Sequence, residues 1–133
     1  MKVKVQEADI ANLNRRIYPK AVLEREAKKW MSGWINENRA FVSRNPPEEG
    51  LTLLSDIVCT IKSLEMENSV LVADLEKLPT DINGSDQIWE LLILEKLHPR
   101  IAGIGSIELQ PDGTYLVGDD FELTSIFLTN DPA

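Results

Sequence analysis

Two glycines in one short apolar run limit most strongly how this chain can fold. In Ile101-Ala102-Gly103-Ile104-Gly105-Ser106-Ile107 the glycines share the parity of Ile101 and Ile107. A strand there leaves a patch without side chains on one face. A glycine inside a strand marks a bulge or the close approach of another backbone. The sequence thus predicts a strand over about 100–109, entered from a helix that Pro99 stops and that carries His98 in its last turn. Pro111-Asp112-Gly113 then turns the chain and Tyr115-Leu116-Val117 returns it. Beyond that, Phe121 and Leu123 are odd-numbered whereas Ile126 and Leu128 are even. The slip in parity predicts a bulge near Thr124-Ser125.

The remaining chain reads the same way, from periodicity. Lys2-Val3-Lys4-Val5 alternates and predicts a first strand over 2–7, at a sheet edge given its lysines. Residues 8–17 lack a period and read as a loop. Pro19 suits the first position of a helix, and Leu23, Ala27, Trp30, Met31 and Trp34 recur at three- and four-residue spacing as one apolar stripe. Phe41-Val42 predicts a short strand before the turn-rich Asn45-Pro46-Pro47-Glu48-Glu49-Gly50. Asp56–Leu64 and Ser69–Leu75 alternate, with Glu65-Met66-Glu67-Asn68 as the turn of a hairpin. Asn83-Gly84-Ser85 opens a second helix, with Ser85 as N-cap and Ile88, Trp89, Leu91, Leu92, Leu94 and Leu97 turned inwards. The order β-α-β-β-β-α-β-β-β predicts an α+β domain over 1–133: a mixed, mostly antiparallel sheet curled towards a small barrel, with two helices packed on it.

Composition excludes several classes of function. No window holds the ~18–20 apolar residues of a membrane helix, and the first residues lack the apolar core of a signal peptide. One cysteine, Cys59, permits neither an internal disulfide nor a thiolate zinc cluster and points to a cytoplasm. No phosphate loop or dinucleotide fingerprint is present, and no cofactor is expected. The net charge of −8 opposes nucleic acid as a partner. That charge is uneven: residues 1–44 hold 10 Lys and Arg against 5 Asp and Glu, and residues 45–133 hold 4 against 17. The basic residues Arg15, Arg16, Lys20, Arg25, Lys28 and Lys29 are therefore expected to gather near the first helix as an interface. Glu48, Glu49, Asp119 and Asp120 are expected on another face.

Several stretches together point to a lineage. Asn12, Asn14, Arg16, Tyr18 and Pro19 form an Asn-x-Asn-x-Arg-x-Tyr-Pro run leading into a helix. Ala40 to Pro46, Leu54-Ser55-Asp56, Leu78-Pro79-Thr80, His98 to Gly105, Asp119 to Leu123 and Asn130-Asp131-Pro132-Ala133 follow in that order. In this succession the chain resembles the prohead (capsid-maturation) serine proteases of tailed bacteriophages and, more remotely, herpesvirus assemblin. The resemblance implies a small β-barrel ringed by helices. It also implies a location in the phage head, made in a bacterial cytoplasm, with the major capsid protein, other head proteins or further copies of itself as partners.

The departures fall on the chemistry. By the resemblance the family's catalytic histidine becomes Asn45, whose amide cannot accept a proton at neutral pH. The paired serines fall on Arg100 and Ile101, neither of which forms an acyl intermediate. The arginine that helps arrange the oxyanion site becomes Ala102. Asp119, Asp120 or Glu122 matches the third position of the triad, with no base to orient. The expectation is a degenerate, non-catalytic head protein: cement, decoration or assembly factor. The alternative is an active protease with a rearranged site that uses His98, the only histidine, with Ser106 as the fallback nucleophile. A third reading is a host-directed binding protein on a borrowed fold.

Overall fold

The computed structural model describes residues 1–46 and 54–130. In chain order the strands and helices are β1 (Lys2–Glu7), β2 (Arg16–Ile17), α1 (Lys20–Trp30), β3 (Phe41–Ser43), β4 (Ile57–Glu67), β5 (Val70–Lys77), α2 (Ser85–Ile93), β6 (His98–Ile104), β7 (Ile107–Leu109), β8 (Tyr115–Val117) and β9 (Glu122–Thr129). Six strands form one sheet in the order β1-β5-β4-β3-β9-β6, antiparallel except for the β3–β9 pair. The end strands β1 and β6 draw near one another without pairing, so the sheet curls into a half-barrel. A smaller sheet, β2-β8-β7, stands beside it as a flap. The architecture is the expected α+β fold with two helices on a curled sheet.

The core follows from the alternation. Leu64 of β4 and Leu71, Ala73 and Leu75 of β5 are fully buried, with Val5 and Ile126 beside them. Ile57, Val58 and Cys59 are buried in succession, which requires cover on both faces of β4 there. Val22, Leu23, Ala27 and Trp30 of α1 complete the core. Burial pushes the Cys59 thiol up to about 12, so it packs as a small apolar group.

Several local readings needed correction, each for a definable reason. Pro19 is the N-cap of α1 and not its first helical residue, with ψ at 140°. A π-helical turn over Met31–Ile35 then breaks the 3.6-residue phase. It turns Trp34 outwards, 45% exposed beneath the Arg39 guanidinium, which lies 4.6 Å from the ring centroid. The β4–β5 turn is only Asn68-Ser69, because Asn68 adopts a left-handed conformation (φ 59°) that a tight hairpin requires. Gly84, at φ 71°, occupies the N-cap of α2; Ser85 is buried in the first turn, and Asp81 Oδ1 accepts the Asp86 N–H at 3.2 Å.

The end of α2 matters most for function. Glu95 takes a left-handed φ of 57°, the Lys96 N–H reaches Leu91 O and the Glu95 N–H reaches Leu92 O. That pair of bonds is a Schellman stop, formed without the usual glycine. The helix therefore ends at Ile93, Leu94 is 61% exposed, and His98 begins strand β6 instead of closing a helix. The predicted 100–109 strand is likewise two: β6 leaves the main sheet at Ile104 and β7 enters the flap at Ile107.

Candidate functional site

The first assembly lies around 118–123. An added Cβ on Gly105 would sit 2.7 Å from Phe121 Cα, and one on Gly103 would collide with the Phe121 ring and the Glu122 carbonyl. The glycines exist so that Phe121 can lie against the strand. The predicted bulge is here too: Ala102 pairs with Ser125 but Gly103 with Leu123, leaving Thr124 as the extra residue of β9. From the flap, Ser106 ties the same segment. Its N–H donates to both Asp120 carboxylate oxygens (3.0 and 3.1 Å) and its hydroxyl donates to Oδ1 at 2.8 Å. The Ser106 N–H first, then its hydroxyl, holds the Asp120 carboxyl below its ordinary range.

From the other side α1 supplies what a neighbouring strand would. Glu26 is buried, and its Oε1 accepts the Leu123 N–H at 2.8 Å. Trp30 Nε1 donates to Leu123 O at 3.1 Å, and Arg25 donates to the carbonyls of Asp119 and Phe121, both at 2.7 Å. Arg25 Nε and Lys29 Nζ lie 3.1 and 3.3 Å from Glu26 Oε2. Burial pushes the Glu26 carboxyl up, but the Leu123 N–H, Arg25 and Lys29 outweigh it and leave the group below its ordinary value. The sequence reading missed Glu26. Its signal was present, because 23, 26, 27 and 30 share one helical face and only Glu26 on it is charged.

These contacts overturn the expected separation of charge. Arg25 lies on the Asp119–Phe121 backbone and Lys29 also approaches Glu122 at 3.8 Å, so α1 cations and the 119–122 acids are neighbours. The reason is that β9 begins beneath α1. Lys28 pairs with Glu24 on the surface, whereas Arg15, Arg16 and Lys20 are exposed. Glu48 and Glu49 lie outside the described residues.

The second assembly is a pocket of about 200 Å³ at the seam between β1 and β6. Asn12 builds its rim: Oδ1 accepts the N–H groups of Asn14 (2.9 Å) and Arg16 (3.1 Å), and Nδ2 donates to Gln6 Oε1. Arg15 is left-handed within this loop (φ 60°), and Arg16 then enters β2 beside Tyr115. Tyr18 packs edge-on to Phe121, with ring centroids 5.4 Å apart. Arg16, Arg100 and Ile101 all line the pocket, with Phe127 and Thr129 of β9 behind them. Asn12, Asn14, Arg16 and Tyr18 of the Asn-x-Asn-x-Arg-x-Tyr run thus meet Arg100 and Ile101 at one place.

The other candidates are dispersed. Asn45 is exposed just beyond β3, its carbonyl accepting the Ser43 hydroxyl. Register places Ser43, Phe127 and Arg100 on one row across three strands, which sets Ser43 and Arg100 ~10 Å apart. His98 opens β6 and Ser106 lies two residues beyond its far end at Ile104, a strand of roughly 20 Å between them. Ala102 pairs with Ser125, and its carbonyl accepts the Thr124 hydroxyl at 3.1 Å. Among the described residues, no three His, Cys, Asp or Glu side chains gather in a metal-holding group.

Among solved structures, the bacteriophage T4 capsid assembly protease gp21 matches with a TM-score of 0.85 and 20% identity, over 99% of this chain and 82% of that one. No family model and no curated protein matches the chain. The likeness establishes a shared fold: α+β, prohead-protease-like.

Proposed function

We propose that this chain is a non-catalytic structural protein of a tailed-phage head, a cement or decoration protein or an assembly factor, built on a degenerate prohead-protease fold. One observation carries the reading. By the resemblance Asn45, which is exposed, stands for the base, and Arg100 and Ile101, which line the seam pocket, stand for the nucleophile. An amide is no general base, and a guanidinium attacks no carbonyl. The rearranged site gains nothing from the fold, since Ser106 donates to Asp120 at the far end of β6 from His98. A fold kept after its reacting groups are replaced is kept for its surface.

The likeness to a capsid assembly protease supports a place in phage head assembly and, with it, a capsid or other head protein as partner. Among the proposed interface residues, Arg15, Arg16, Lys20 and Lys28 are exposed and away from the 119–123 segment, whereas Arg25 and Lys29 hold it. The test is quantitative mass spectrometry of purified heads, together with incubation of the protein with unprocessed capsid and scaffold chains. Many copies per head and intact chains are expected. Absence from both heads and assembly intermediates, or cleavage lost on His98→Ala, overturns the proposal.

A further inference from the structure

The flap ends in a strand whose outer side is unpaired. In the three-stranded sheet β7 pairs only with β8. The Gln110 N–H donates to Thr114 O at 2.7 Å and the Gly118 N–H to Ser106 O at 2.9 Å. Hydrogen-bonded pairs alternate along an antiparallel ladder. Positions 106, 108 and 110 therefore face β8, and the N–H and C=O groups of Ile107 and Leu109 face outwards. The same phase holds on β8, where the Tyr115 N–H turns away from β7 to Arg15 O. Among the described residues, no backbone group meets those of Ile107 and Leu109 on the outer side. All three residues of β7 are exposed. The Ile107 and Leu109 side chains share the face of buried Val117 and continue it as an uncovered apolar margin. Glu108 projects from the other face.

An exposed edge with its donors and acceptors in line is a template for one more strand. Charge decides which strand. Residues 101–133 contain six Asp and Glu and no Lys or Arg, and the flap's Arg16 lies on its opposite edge, in β2. A second copy laid antiparallel on β7, with Ile107 opposite the copy's Leu109, would set Glu108 against its own counterpart. Like charges directly opposite one another destabilise a strand pair. We propose that the β7 edge takes an extended segment of a partner protein in which a Lys or Arg stands between two apolar residues. The two apolar residues exchange backbone hydrogen bonds with Ile107 and Leu109 and cover their side chains, and the cation between them meets Glu108. Backbone pairing supplies the attachment, and Glu108 supplies the choice of sequence. The inference goes beyond the proposed role in the head, because it holds equally for a catalytic chain.

The test is titration of the isotope-labelled protein, followed by amide NMR, with an end-blocked Thr-Val-Lys-Val-Thr peptide and its Thr-Val-Glu-Val-Thr counterpart. The Ile107 and Leu109 amides are expected to shift and to gain protection from exchange. The lysine peptide should bind about fivefold or more tightly than the glutamate peptide, and the difference should shrink at high salt. N-methylation of both valines removes the peptide's donors and should abolish binding. Glu108→Lys should invert the preference. Glu108 is exposed, and the N-methylated peptide probes the edge without altering the protein, so the test stands even if that variant unfolds. Equal binding of the two peptides, binding that survives N-methylation, a preference unchanged in Glu108→Lys, or no shift at β7 at millimolar peptide overturns the assignment. Self-association of the protein alone that protects the same two amides would give the edge to a second copy and overturn it as well.

Discussion

The 118–123 segment and the β1–β6 seam lie on the same half-barrel and share Phe121's neighbour Tyr18, yet they treat arginine in opposite ways. At the first, Arg25 donates to two backbone carbonyls and to buried Glu26, so its charge is consumed by holding β9 to α1. At the second, Arg16 is exposed at the rim of a pocket whose described lining holds no Asp or Glu. The difference teaches which cations are structural. Sequence counts the six cations of the expected interface alike, but in the fold Arg25 and Lys29 hold the 119–123 segment whereas Arg15, Arg16, Lys20 and Lys28 lie exposed away from it.

Removing Glu26 should break this contrast most severely. Glu26→Ala leaves the Leu123 N–H without its acceptor and deprives Arg25 and Lys29 of their anion. Loss of a buried hydrogen-bonded acceptor with its ion pairs is expected to cost about 2–4 kcal/mol, read as a fall in the urea midpoint. A change under ~0.5 kcal/mol would mean that α1 does not hold β9. The same contacts predict why Lys29→Glu, unlike Lys28→Glu, should destabilise: it sets a second carboxylate against buried Glu26.

Next in size is Gly105→Ala, whose new Cβ meets the Phe121 backbone at 2.7 Å. Displacing backbone is expected to cost about 1–3 kcal/mol, measurable by thermal melting. Wild-type stability there would show that Phe121 does not need the approach.

Acid should act on the same region. The folded carboxyls of Glu26 and Asp120 are held below their ordinary values. Their stabilisation is therefore complete above the ordinary carboxylate range and is lost as pH falls through the lower folded values. Denaturant midpoints should drop below that range, and Glu26→Gln should flatten the drop more than Asp120→Asn, since Glu26 is buried. Identical acid profiles for wild type and Glu26→Gln would contradict the assignment.

The smallest effect is expected at the seam. Arg16→Gln should change stability by no more than ~0.5 kcal/mol, as for other exposed positions, read by thermal melting. A large loss of stability would make Arg16 structural and erase the comparison.

Much of this was legible in the chain because the signals were local. Alternation placed β1, β4, β5 and β9; the parity slip located the Thr124 bulge; and Gly103 and Gly105 announced the approach of Phe121. What escaped depended on partners far along the chain or on backbone states without a marker residue. The Schellman stop uses Glu95 in place of glycine, so nothing in the sequence ended α2 before Pro99 and His98 was misplaced into it. Strand β2 is two residues long and exists only because β8 lies beside it. Glu26 stood out only as a charge on the apolar face of α1, and its acceptor role depends on the Leu123 N–H of β9, 97 residues away. The seam pocket, too, needed Asn12–Tyr18 and Arg100–Ile101 brought together by the closing of the sheet.

The most direct test of the central claim, that the reacting positions have been replaced on a retained protease fold, is intact-mass measurement after exposure to a fluorophosphonate. The account predicts an unmodified chain at long exposure, because Asn45, Arg100 and Ile101 offer neither base nor nucleophile and Ser106 is tied to Asp120 without a histidine near it. One stoichiometric serine adduct, abolished by His98→Ala, would contradict it and restore the enzyme.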